Sequence, residues 1–404
     1  MIYEGNCRLG DLFTSRREKG RPGLPTLSVT LNDGLVNRED MERKQDTSLA
    51  PEEHLLVKPG DIAYNMMRMW QGAFGLADGE GLVSPAYVVL KGNGSIDPQY
   101  ASYLFKTARM KYLFWAYSYG LTDDRLRLYF PDFGKIPAII PTKATQGRIA
   151  KVLATWDAAI SVSEKLRDAN DTWRRSIVNS LLLGTSKLAK HRSKRTEVRL
   201  GKVADVLVSS VDKKHDTDEP SISLCNYTHV YYNRYLTKSV SYDTGTASTS
   251  EIERFQLKKW DVVITKDSEE ANDIGVAACV SEHIENLVCG YHLAIIRPKE
   301  GLVDSVYLSS LFSLHEIRKH FAIQSNGVTR FGLPVKSIES LSLKLPSIQE
   351  QREVATLIHQ LDQEQLLNTH RLELLKREKA ALVQQILTGK PCVIDSALAK
   401  GGAL

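Results

Sequence analysis

Two stretches of the chain share one layout: LPSIQEQREVATLIHQLD at 345–362 and IPTKATQGRIAKVLATWD at 140–157. Each passes a proline, Pro346 or Pro141, and enters a run whose apolar residues recur at helical spacing. Each run stops at a glycine, Gly389 or Gly184, and the distance from proline to glycine is 43 residues in both. Equal spacing over that length indicates that the chain repeats itself and that each copy ends in a long helix.

The segments that precede the two helices also correspond. Each copy begins with an Arg-Leu-Gly triplet, and runs rich in Val, Ile, Tyr and Leu then alternate with Gly, Asn, Asp and Pro turns. The matched pieces are VKPGDIAYN at 57–65 with LKKWDVVIT at 257–265, PAYVVL at 85–90 with YHLAIIRP at 291–298, and Asp97, Tyr100, Leu104 and Phe105 with Asp304, Tyr307, Leu311 and Phe312. This pattern predicts one α+β domain used twice.

The repeat predicts two similar globular domains joined by two long antiparallel helices, related by a pseudo-twofold axis. The predicted segments are a first globular domain at 1–140, a first long helix at 141–190, a basic connector at 191–199, a second globular domain at 200–345, a second long helix at 346–390 and a flexible tail at 391–404.

The second helix has a coiled-coil pattern. Ser347 and Glu350 behind the proline form a capping-box pattern at its start. Asn368 interrupts the seam, and two interpretations stay open: a buried Asn that fixes register, or an exposed polar residue at a broad interface. The seam consists of Val354, Leu361, Leu375 and Leu382 at intervals of seven or fourteen, with Ile358, Leu372 and Ile386 four residues after positions of that series.

The first helix is also apolar on one side. From Gln146 to Leu183 it spans roughly 57 Å at ~1.5 Å per residue, which is longer than one globular core requires. Each helix therefore needs a partner, and the simplest partner is the other helix. The apolar residues of the first helix are Ile149, Leu153, Trp156, Ile160, Leu166, Trp173, Ile177 and Leu181.

Composition limits the class of protein. With 404 residues, 42% hydrophobic and 25% charged, the chain is long enough for two or three globular cores. Five cysteines without a C-x-x-C pair argue against a disulfide framework and a zinc knuckle. We expect a reduced, cytoplasmic protein, because neither a signal peptide nor a membrane-spanning run is evident.

The charge is unevenly distributed. The net charge of the chain is only +5, but residues 141–199 hold 13 basic against 5 acidic residues, and the rest is neutral or slightly acidic. Two interpretations of the basic connector stay open: a solvated linker, or a segment close to an anionic backbone. Much of the surplus lies in Lys187 and Lys190, just before the connector, and in Arg192, Lys194, Arg195 and Arg199 within it.

Motifs for catalysis are missing. There is no glycine-rich loop for S-adenosylmethionine or a dinucleotide, no nucleotide-binding P-loop, and no N-P-P-[FYW] or D-P-P-[FYW] tetrapeptide. Glu52, Glu53 and Lys58 are interpreted as surface charge rather than a nuclease site. His315 and His320 have the wrong interval for a metal pair, and His292 is interpreted as a satisfied core side chain.

The proline, Glu-Gln and long-helix arrangement resembles the conserved regions of the specificity subunits of type I restriction-modification systems. The resemblance covers residues 8–390, although Thr145 and Gly147 stand in the first copy where Glu350 and Arg352 stand in the second. It implies that each globular domain is a target recognition domain reading one half of a bipartite double-stranded DNA site. It also implies helices that set the half-site separation and dock two methyltransferase (modification) subunits.

The resemblance further implies that this subunit is non-catalytic within a type I restriction endonuclease and adenine methyltransferase complex of prokaryotic defence. A restriction/translocase subunit would join the full complex. S-adenosylmethionine, ATP and Mg²⁺ would belong to the partner subunits, and no cofactor to this chain.

Two loops in each domain are predicted to contact DNA through their polar residues. In the first domain they are 65–71 and 118–125, and in the second 265–272 and 324–330, where Gly120-Leu121-Thr122 aligns with Gly327-Val328-Thr329. For any one residue, an ordinary polar loop remains an equal alternative. Candidate DNA-binding residues are Asn65, Arg68, Gln71, Tyr119, Thr122, Arg125, Arg127, Lys266, Ser268, Asn272, Asn326, Thr329 and Arg330.

Met66, Met67, Met69 and Trp70 are interpreted as packing residues rather than a DNA wedge. Two other classes of protein compete with the DNA reader. One is an antiparallel-helix scaffold for protein partners without base readout, and the other is a self-sufficient DNA-modifying enzyme, which the missing cofactor loop argues against.

Deleting about one helical turn, ~3.6 residues, from both long helices should change the preferred gap between the half-sites. The expected change follows because the helices would act as a fixed spacer. The gap is measured by mapping methylated sites in a host genome that carries the shortened subunit and its methyltransferase. An unchanged gap would contradict the spacer role.

Overall fold

A computed structural model describes residues 3–41 and 49–387 of the chain. The described residues divide into two compact units, residues 3–41 and 49–164 with 370–387, and residues 165–369. Each long helix runs through both units. The predicted tail at 391–404 and the predicted helix stop at Gly389 lie outside the described residues.

The described residues of the first unit form ten short strands, four short helices and parts of both long helices. Its strands are β1 Tyr3–Arg8, β2 Phe13–Arg16, β3 Leu27–Val29, β4 Leu35–Asn37, β5 Leu55–Val57, β6 Ile62–Asn65, β7 Phe74–Leu76, β8 Gly81–Val83, β9 Tyr87–Gly92 and β10 Pro137–Pro141. Its helices are α1 Leu9–Leu12, α2 Pro98–Phe105, α3 Ala108–Ala116, α4 Phe130–Phe133 and the start of α5 Lys143–Leu183.

The second unit repeats this order with additions. Its strands are β11 Thr196–Arg199, β12 Ala204–Val208, β13 Ser221–Cys225, β14 Tyr235–Leu236, β15 Asp243–Thr246, β16 Val262–Thr265, β17 Asp267–Ser268, β18 Ala277–Val280, β19 Leu287–Cys289, β20 Leu293–Pro298, β21 Phe331–Gly332 and β22 Ser342–Leu345. Its helices are α6 Leu200–Val203, α7 Tyr227–Tyr232, α8 Thr249–Phe255, α9 Ser305–Leu311, α10 His315–Gln324, α11 Val335–Glu339 and the start of α12 Ile348–Leu387.

Sheet order confirms the predicted α+β repeat. The first unit has a sheet in the order β2-β9-β6-β7, and the second has β12-β20-β16-β18-β14, in which the first four strands occupy matching places. The first and last strands of each globular part pair antiparallel, β1 with β10 and β11 with β22. The chain therefore enters and leaves each globular part side by side, and the exit leads straight into the long helix.

The two predicted matching aspartates, Asp61 and Asp261, lie at the same point of the two sheets. Each side chain accepts the backbone N–H three residues earlier, at 2.9 Å from Lys58 and 2.8 Å from Lys258. Each also pairs with an arginine, but Asp61 pairs with Arg16 of β2 and Asp261 with Arg297 of β20. The repeat thus keeps the ion pair while the arginine comes from a different strand.

A buried glutamine at the start of each long helix fastens the helix to its globular part. The Gln146 side chain accepts from the Asp97 backbone N–H at 2.7 Å and donates to the Pro141 carbonyl at 2.9 Å. Gln351 repeats both contacts with Asp304 at 3.0 Å and Pro346 at 3.0 Å. Both glutamines are essentially inaccessible to solvent. Because unpaired buried amides are costly, these hydrogen bonds fix where each helix starts.

Asp97 and Asp304 in turn cap the helices α2 and α9. Each carboxylate accepts from the N–H three residues on, Tyr100 at 2.9 Å and Tyr307 at 3.0 Å. One glutamine and one aspartate therefore link a strand exit, a short helix and a long helix in both units.

The two long helices pack against each other antiparallel within each unit. In the first unit Lys379 pairs with Asp157 and Lys376 with Glu164, so rising numbers on one helix meet falling numbers on the other. In the second unit the core joins Val178, Leu181 and Leu182 of α5 to Val354, Ala355 and Ile358 of α12. The prediction that each helix partners the other is confirmed.

The predicted apolar face of α5 is wrong at two positions. Leu166 is 57% exposed and Trp173 is 56% exposed, whereas Ile149 and Leu153 are buried. The apolar stripe of this helix is broken, because the helix packs on α12 with a polar residue, Arg174, beside Trp173. On α12, Asn368 is half-buried.

A buried ion pair that the sequence pattern did not reveal lies between the helices. The Arg174 guanidinium contacts the Asp362 carboxylate, and both side chains are less than a tenth exposed. Arg234 and the Tyr235 hydroxyl donate to the same carboxylate at 2.8 and 2.9 Å. The carboxylate is thus shared by both helices and by the second globular part.

Only one of the two hydrogen bonds of the predicted capping box of α12 forms. The Glu350 N–H donates to the Ser347 hydroxyl at 3.3 Å, but the Glu350 carboxylate accepts from Ser193, whose N–H lies 2.6 Å away. Ser193 also accepts from the Ser347 N–H at 2.7 Å, and so replaces the glutamate at the cap. Ser193 of the connector therefore caps the start of α12 in place of a residue of the helix itself.

The basic connector is held on α12 rather than extended as a free linker. The Glu353 carboxylate accepts from the backbone N–H groups of Lys190 at 2.7 Å and His191 at 3.0 Å. These donors, followed by the His191 ring, lower the pKa of Glu353 to about 2. The helix α5 ends at Leu183, and Gly184 takes the left-handed conformation that the predicted stop requires. Among the described residues, no helix is long and apolar enough to cross a membrane.

Replacing Asp362 by Ala should destabilise the second unit by about 3–5 kcal/mol, because Arg174 would remain buried without its carboxylate. Combining Arg174→Met with Asp362→Leu should restore most of the loss, since Arg234 is half exposed and can turn to water. Chemical denaturation of the full chain measures both effects. Equal stability of the single variant and the unchanged chain would contradict a structural role for the pair.

Candidate nucleic-acid interface

The first candidate loop of each unit, here the strand loop, follows the central strand of the sheet. It comprises 65–72 after β6 and 265–273 after β16. In the first unit Asn65 ends the strand, and its side chain accepts from the Met67 N–H at 3.0 Å to form a tight turn. Arg68 and Gln71 lie on the exposed side of this turn.

The methionine and tryptophan cluster anchors the strand loop. Met69 is fully buried, and Met66 and Trp70 pack against the same core. The Trp70 ring N–H donates to the Met67 carbonyl at 3.1 Å. The interpretation of these side chains as packing residues is confirmed, except for Met67, which is 42% exposed.

The second candidate loop, here the glycine loop, spans 119–127 in the first unit and 326–332 in the second. Its ends are closed by two backbone hydrogen bonds in each unit, between Tyr119 and Arg127 at 2.9 and 3.0 Å, and between Asn326 and Gly332 at 2.8 and 2.9 Å. Gly120 approaches the Arg125 carbonyl so closely that a Cβ would lie 2.5 Å from it. Only glycine fits there.

The second unit repeats this close approach with a shorter loop. At Gly327 a Cβ would lie 1.9 Å from the Arg330 carbonyl, and the backbone φ is +140°. The alignment of Gly120 with Gly327 thus marks the same backbone contact with an arginine carbonyl. In both units the residue after the glycine stands at the tip of the loop.

The strand loop and the glycine loop are joined in each unit. The Leu128 N–H donates to the Met66 carbonyl, and the Leu333 N–H donates to the Lys266 carbonyl, both at 2.9 Å. Leu128 and Leu333 are buried. The two loops that the sequence placed far apart therefore form one surface in each unit, and these surfaces are called the first and second loop surfaces below.

The first loop surface presents free cations. The side chains of Arg68, Arg125 and Arg127 are exposed and form no hydrogen bond or ion pair with any side chain that the structure describes. The remaining candidates on this surface are Asn65, which is half-buried, and Gln71, Tyr119 and Thr122, which are exposed.

The second loop surface contains a chain of polar contacts. The Lys266 ammonium pairs with the Asp267 carboxylate at 2.6 Å, and Asp267 lies 3.4 Å from Nδ1 of His292. The Arg330 guanidinium lies 3.1 Å from Nε2 of the same imidazole. Because an arginine can only donate, Nε2 accepts, and the ring proton on Nδ1 points to Asp267.

Burial lowers the pKa of His292, and the Arg330 charge lowers it further, while the contact with Asp267 acts in the opposite direction. The neutral ring fits the observed contacts. His292 is thus a satisfied side chain, as predicted, but it lies under the candidate loops rather than in the core. No sequence pattern marked its contact with Arg330, 38 positions away.

Two candidates of the second surface are engaged within the protein. Ser268 is 8% exposed, and its hydroxyl lies 3.3 Å from the Tyr227 hydroxyl and accepts from the Glu270 N–H. Asn272 has an exposed side chain, while its carbonyl accepts from Arg318 of α10. Asn326, Thr329 and Arg330 are exposed at the glycine loop.

Two of the residues that were weighed as a nuclease site have partners within the first unit. Lys58 pairs with Glu18 at 2.9 Å, and Glu53 accepts from the Ala50 N–H at 2.7 Å. Within residues 3–41 and 49–387, no group of three or more His, Cys, Asp or Glu side chains could hold a metal ion.

Residues 194–377 match the family model of the type I restriction modification DNA specificity domain. Among solved structures, the S subunit of a type I restriction-modification system from M. genitalium is 16% identical, with 95% of each chain covered and a TM-score of 0.56. The HsdS subunit from Thermoanaerobacter tengcongensis is 15% identical, with 95% of this chain and 96% of that chain covered and a TM-score of 0.50.

A third structure, from work on complex assembly and conformational transition of the type I R-M system, is 14% identical over 95% of this chain and 97% of that chain, with a TM-score of 0.56. Comparison with curated protein sequences gives no match. Over 95% of its length the chain therefore shares the fold of these solved S subunits. The family match places residues 194–377 among type I restriction-modification DNA specificity domains, and the predicted resemblance is confirmed.

His292 should titrate below the ordinary histidine value of about 6.5. The stability that its neutral contacts contribute is present above about pH 6.5 and is lost as the pH falls, because the unfolded chain takes up the proton first. Arg330→Ala should raise the pKa of His292 by removing a neighbouring cation. NMR titration of the His292 ring in the full chain measures both, and a midpoint at or above 6.5 would contradict the arrangement.

Proposed function

We propose that this chain is the non-catalytic specificity subunit of a type I restriction-modification complex and that each unit reads one half of a bipartite double-stranded DNA site. One observation carries the proposal: both units join a strand loop to a glycine loop by the same backbone hydrogen bond. Repetition of one polar loop surface, on one sheet position, suits a protein that meets two separate segments of the same kind of ligand.

The chemistry of the loops fits DNA better than a protein partner. Exposed arginines, amides and hydroxyls are the side chains that bind phosphates and the edges of bases. On the first surface the side chains of Arg68, Arg125 and Arg127 are exposed, and none of them bonds to another side chain that the structure describes. On the second surface, one N–H of the Arg330 guanidinium donates to the His292 ring. This contact positions the guanidinium and uses only one of its donors.

We further propose that the long helices set the gap between half-sites and dock two methyltransferase subunits. Each helix is continuous for at least 40 residues, and such a helix is stiff over that length. Exposed apolar side chains on the helices offer docking points, among them Leu166 and Trp173 on α5 and Leu366 and Leu367 on α12. A half-exposed tryptophan on a helix is the type of anchor that protein interfaces use.

S-adenosylmethionine, ATP and Mg²⁺ belong, in this proposal, to the methyltransferase and restriction/translocase partners. This chain would contribute sequence reading and spacing, and the complex would act on cytoplasmic DNA. Because the recognition parts carry little net charge, the partners would supply much of the positive clamp around the duplex.

Arg68→Ala should weaken recognition at one half-site only, and Arg330→Ala at the other, by about 1–3 kcal/mol each if the lost contact is bidentate to a base. Selection of binding sites from random duplexes, with the full chain in its purified complex, measures the preference at each position. Arg17→Ala and Arg254→Ala, exposed arginines outside the loops, serve as matched controls.

The result distinguishes an arginine that reads a base from one that binds a phosphate. Weakening that is equal on every sequence would assign the arginine to phosphate. Unchanged binding in both variants, together with no sequence preference in the unchanged chain, would favour the scaffold without base readout.

A further inference from the structure

The tips of the two glycine loops carry the most exposed large hydrophobic side chains among the described residues. Leu121 and Val328 are each 92% exposed, and each directly follows the glycine of its loop. A single exposed aliphatic residue on a surface is ordinary. Recurrence at the same place in both units, at the same exposure, is not explained by chance placement on a polar loop.

Both tips are held in a fixed position. The loop around Leu121 is closed by the Tyr119–Arg127 backbone pair, and the Arg125 N–H also donates to the Thr122 carbonyl at 2.9 Å. The loop around Val328 is closed by the Asn326–Gly332 pair. Since the backbone is closed below each tip, the side chain cannot fold back onto the core of its own unit without breaking these bonds.

The surroundings of each tip are polar and charged. Leu121 is followed in sequence by Thr122, Asp123, Asp124 and Arg125, and Val328 by Thr329 and Arg330. The side chains of Thr122, Asp124, Arg125, Thr329 and Arg330 are exposed. One aliphatic side chain between hydroxyls and guanidinium groups is a poor anchor for a protein, since protein hot spots are mainly aromatic or arginine side chains set in a wider apolar patch. It matches a mostly polar ligand that bears an isolated methyl group.

Duplex DNA bears such a group in the major groove. The edge of an A·T pair presents the thymine 5-methyl group beside hydrogen-bonding atoms, and apolar side chains contact it directly. A tip flanked by threonine and arginine can hold phosphate or base atoms while the aliphatic side chain covers the methyl group.

We propose that Leu121 and Val328 each contact the 5-methyl group of a thymine in the major groove, one in each half-site. The inference rests on the proposed function, and it adds two specificity-determining residues that polar readout alone does not include. Each recognised half-site then contains at least one thymine whose methyl group is read.

The test uses the full chain in its purified complex and the site selected from random duplexes. Each thymine of that site is replaced in turn by deoxyuridine, which removes only the methyl group. We expect one position in each half-site where the replacement weakens binding about fourfold, the effect of one buried methyl group.

Leu121→Ala should reduce the deoxyuridine effect in one half-site to about onefold and leave the other half-site unchanged, and Val328→Ala should do the reverse. Leu31→Ala is the control, because Leu31 is also an exposed leucine, at 47%. It should leave both deoxyuridine effects as they are.

Three results would overturn the inference. If sequence preference persists but no deoxyuridine replacement matters, the tips do not read methyl groups, while the proposed function stands. If both variants lose a DNA bend but keep the deoxyuridine effects, the tips are wedges between base steps instead. A complex that selects no sequence at all overturns the proposed function and this inference with it.

Discussion

The position of each long helix depends on one buried glutamine side chain. Gln146 and Gln351 each accept from the N–H of a capping aspartate and donate to the carbonyl of the proline that precedes the helix. A buried amide has no water to bond with, so its partners must stay in place for the fold to persist. The sheet, the short capped helix and the long helix are thereby held in one arrangement in each unit.

This arrangement also positions the strand loops and the glycine loops. The sheet fixes the ends of β6 and β16, and the buried leucines 128 and 333 tie the glycine loops to the strand loops. The loops are therefore polar segments on a rigid base, which is the condition for reading a sequence rather than only attracting a polyanion. Under the proposed function a small net charge is expected, because charge governs the attraction of a protein to DNA whereas geometry governs its selectivity.

Much of the fold could be predicted because repetition is visible in the sequence. The proline-to-glycine spacing, the Arg-Leu-Gly triplets and the matched Asp61 and Asp261 located both domains and both helices. The seam of α12 was predicted at Val354, Ile358 and Ile386, all of which are buried. The predicted capping box at Ser347 formed only in part and the predicted apolar face at Trp173 was wrong, both for the same reason. Local patterns assume local partners, whereas Ser193 of the connector occupies the cap and α12 meets α5 beside Trp173.

The sequence by itself determined that one α+β domain occurs twice, that long helices follow each copy, and which four loops carry polar candidates. These features are periodic or local, so the residue types at neighbouring positions are enough to predict them. Tertiary structure alone decided that Asp362 is buried between two arginines, that His292 holds Arg330, and that Leu121 and Val328 stand in solvent at matching tips. Contacts between residues tens to hundreds of positions apart depend on how the chain folds in three dimensions. The spacing of residue types along the sequence does not show which distant segments meet.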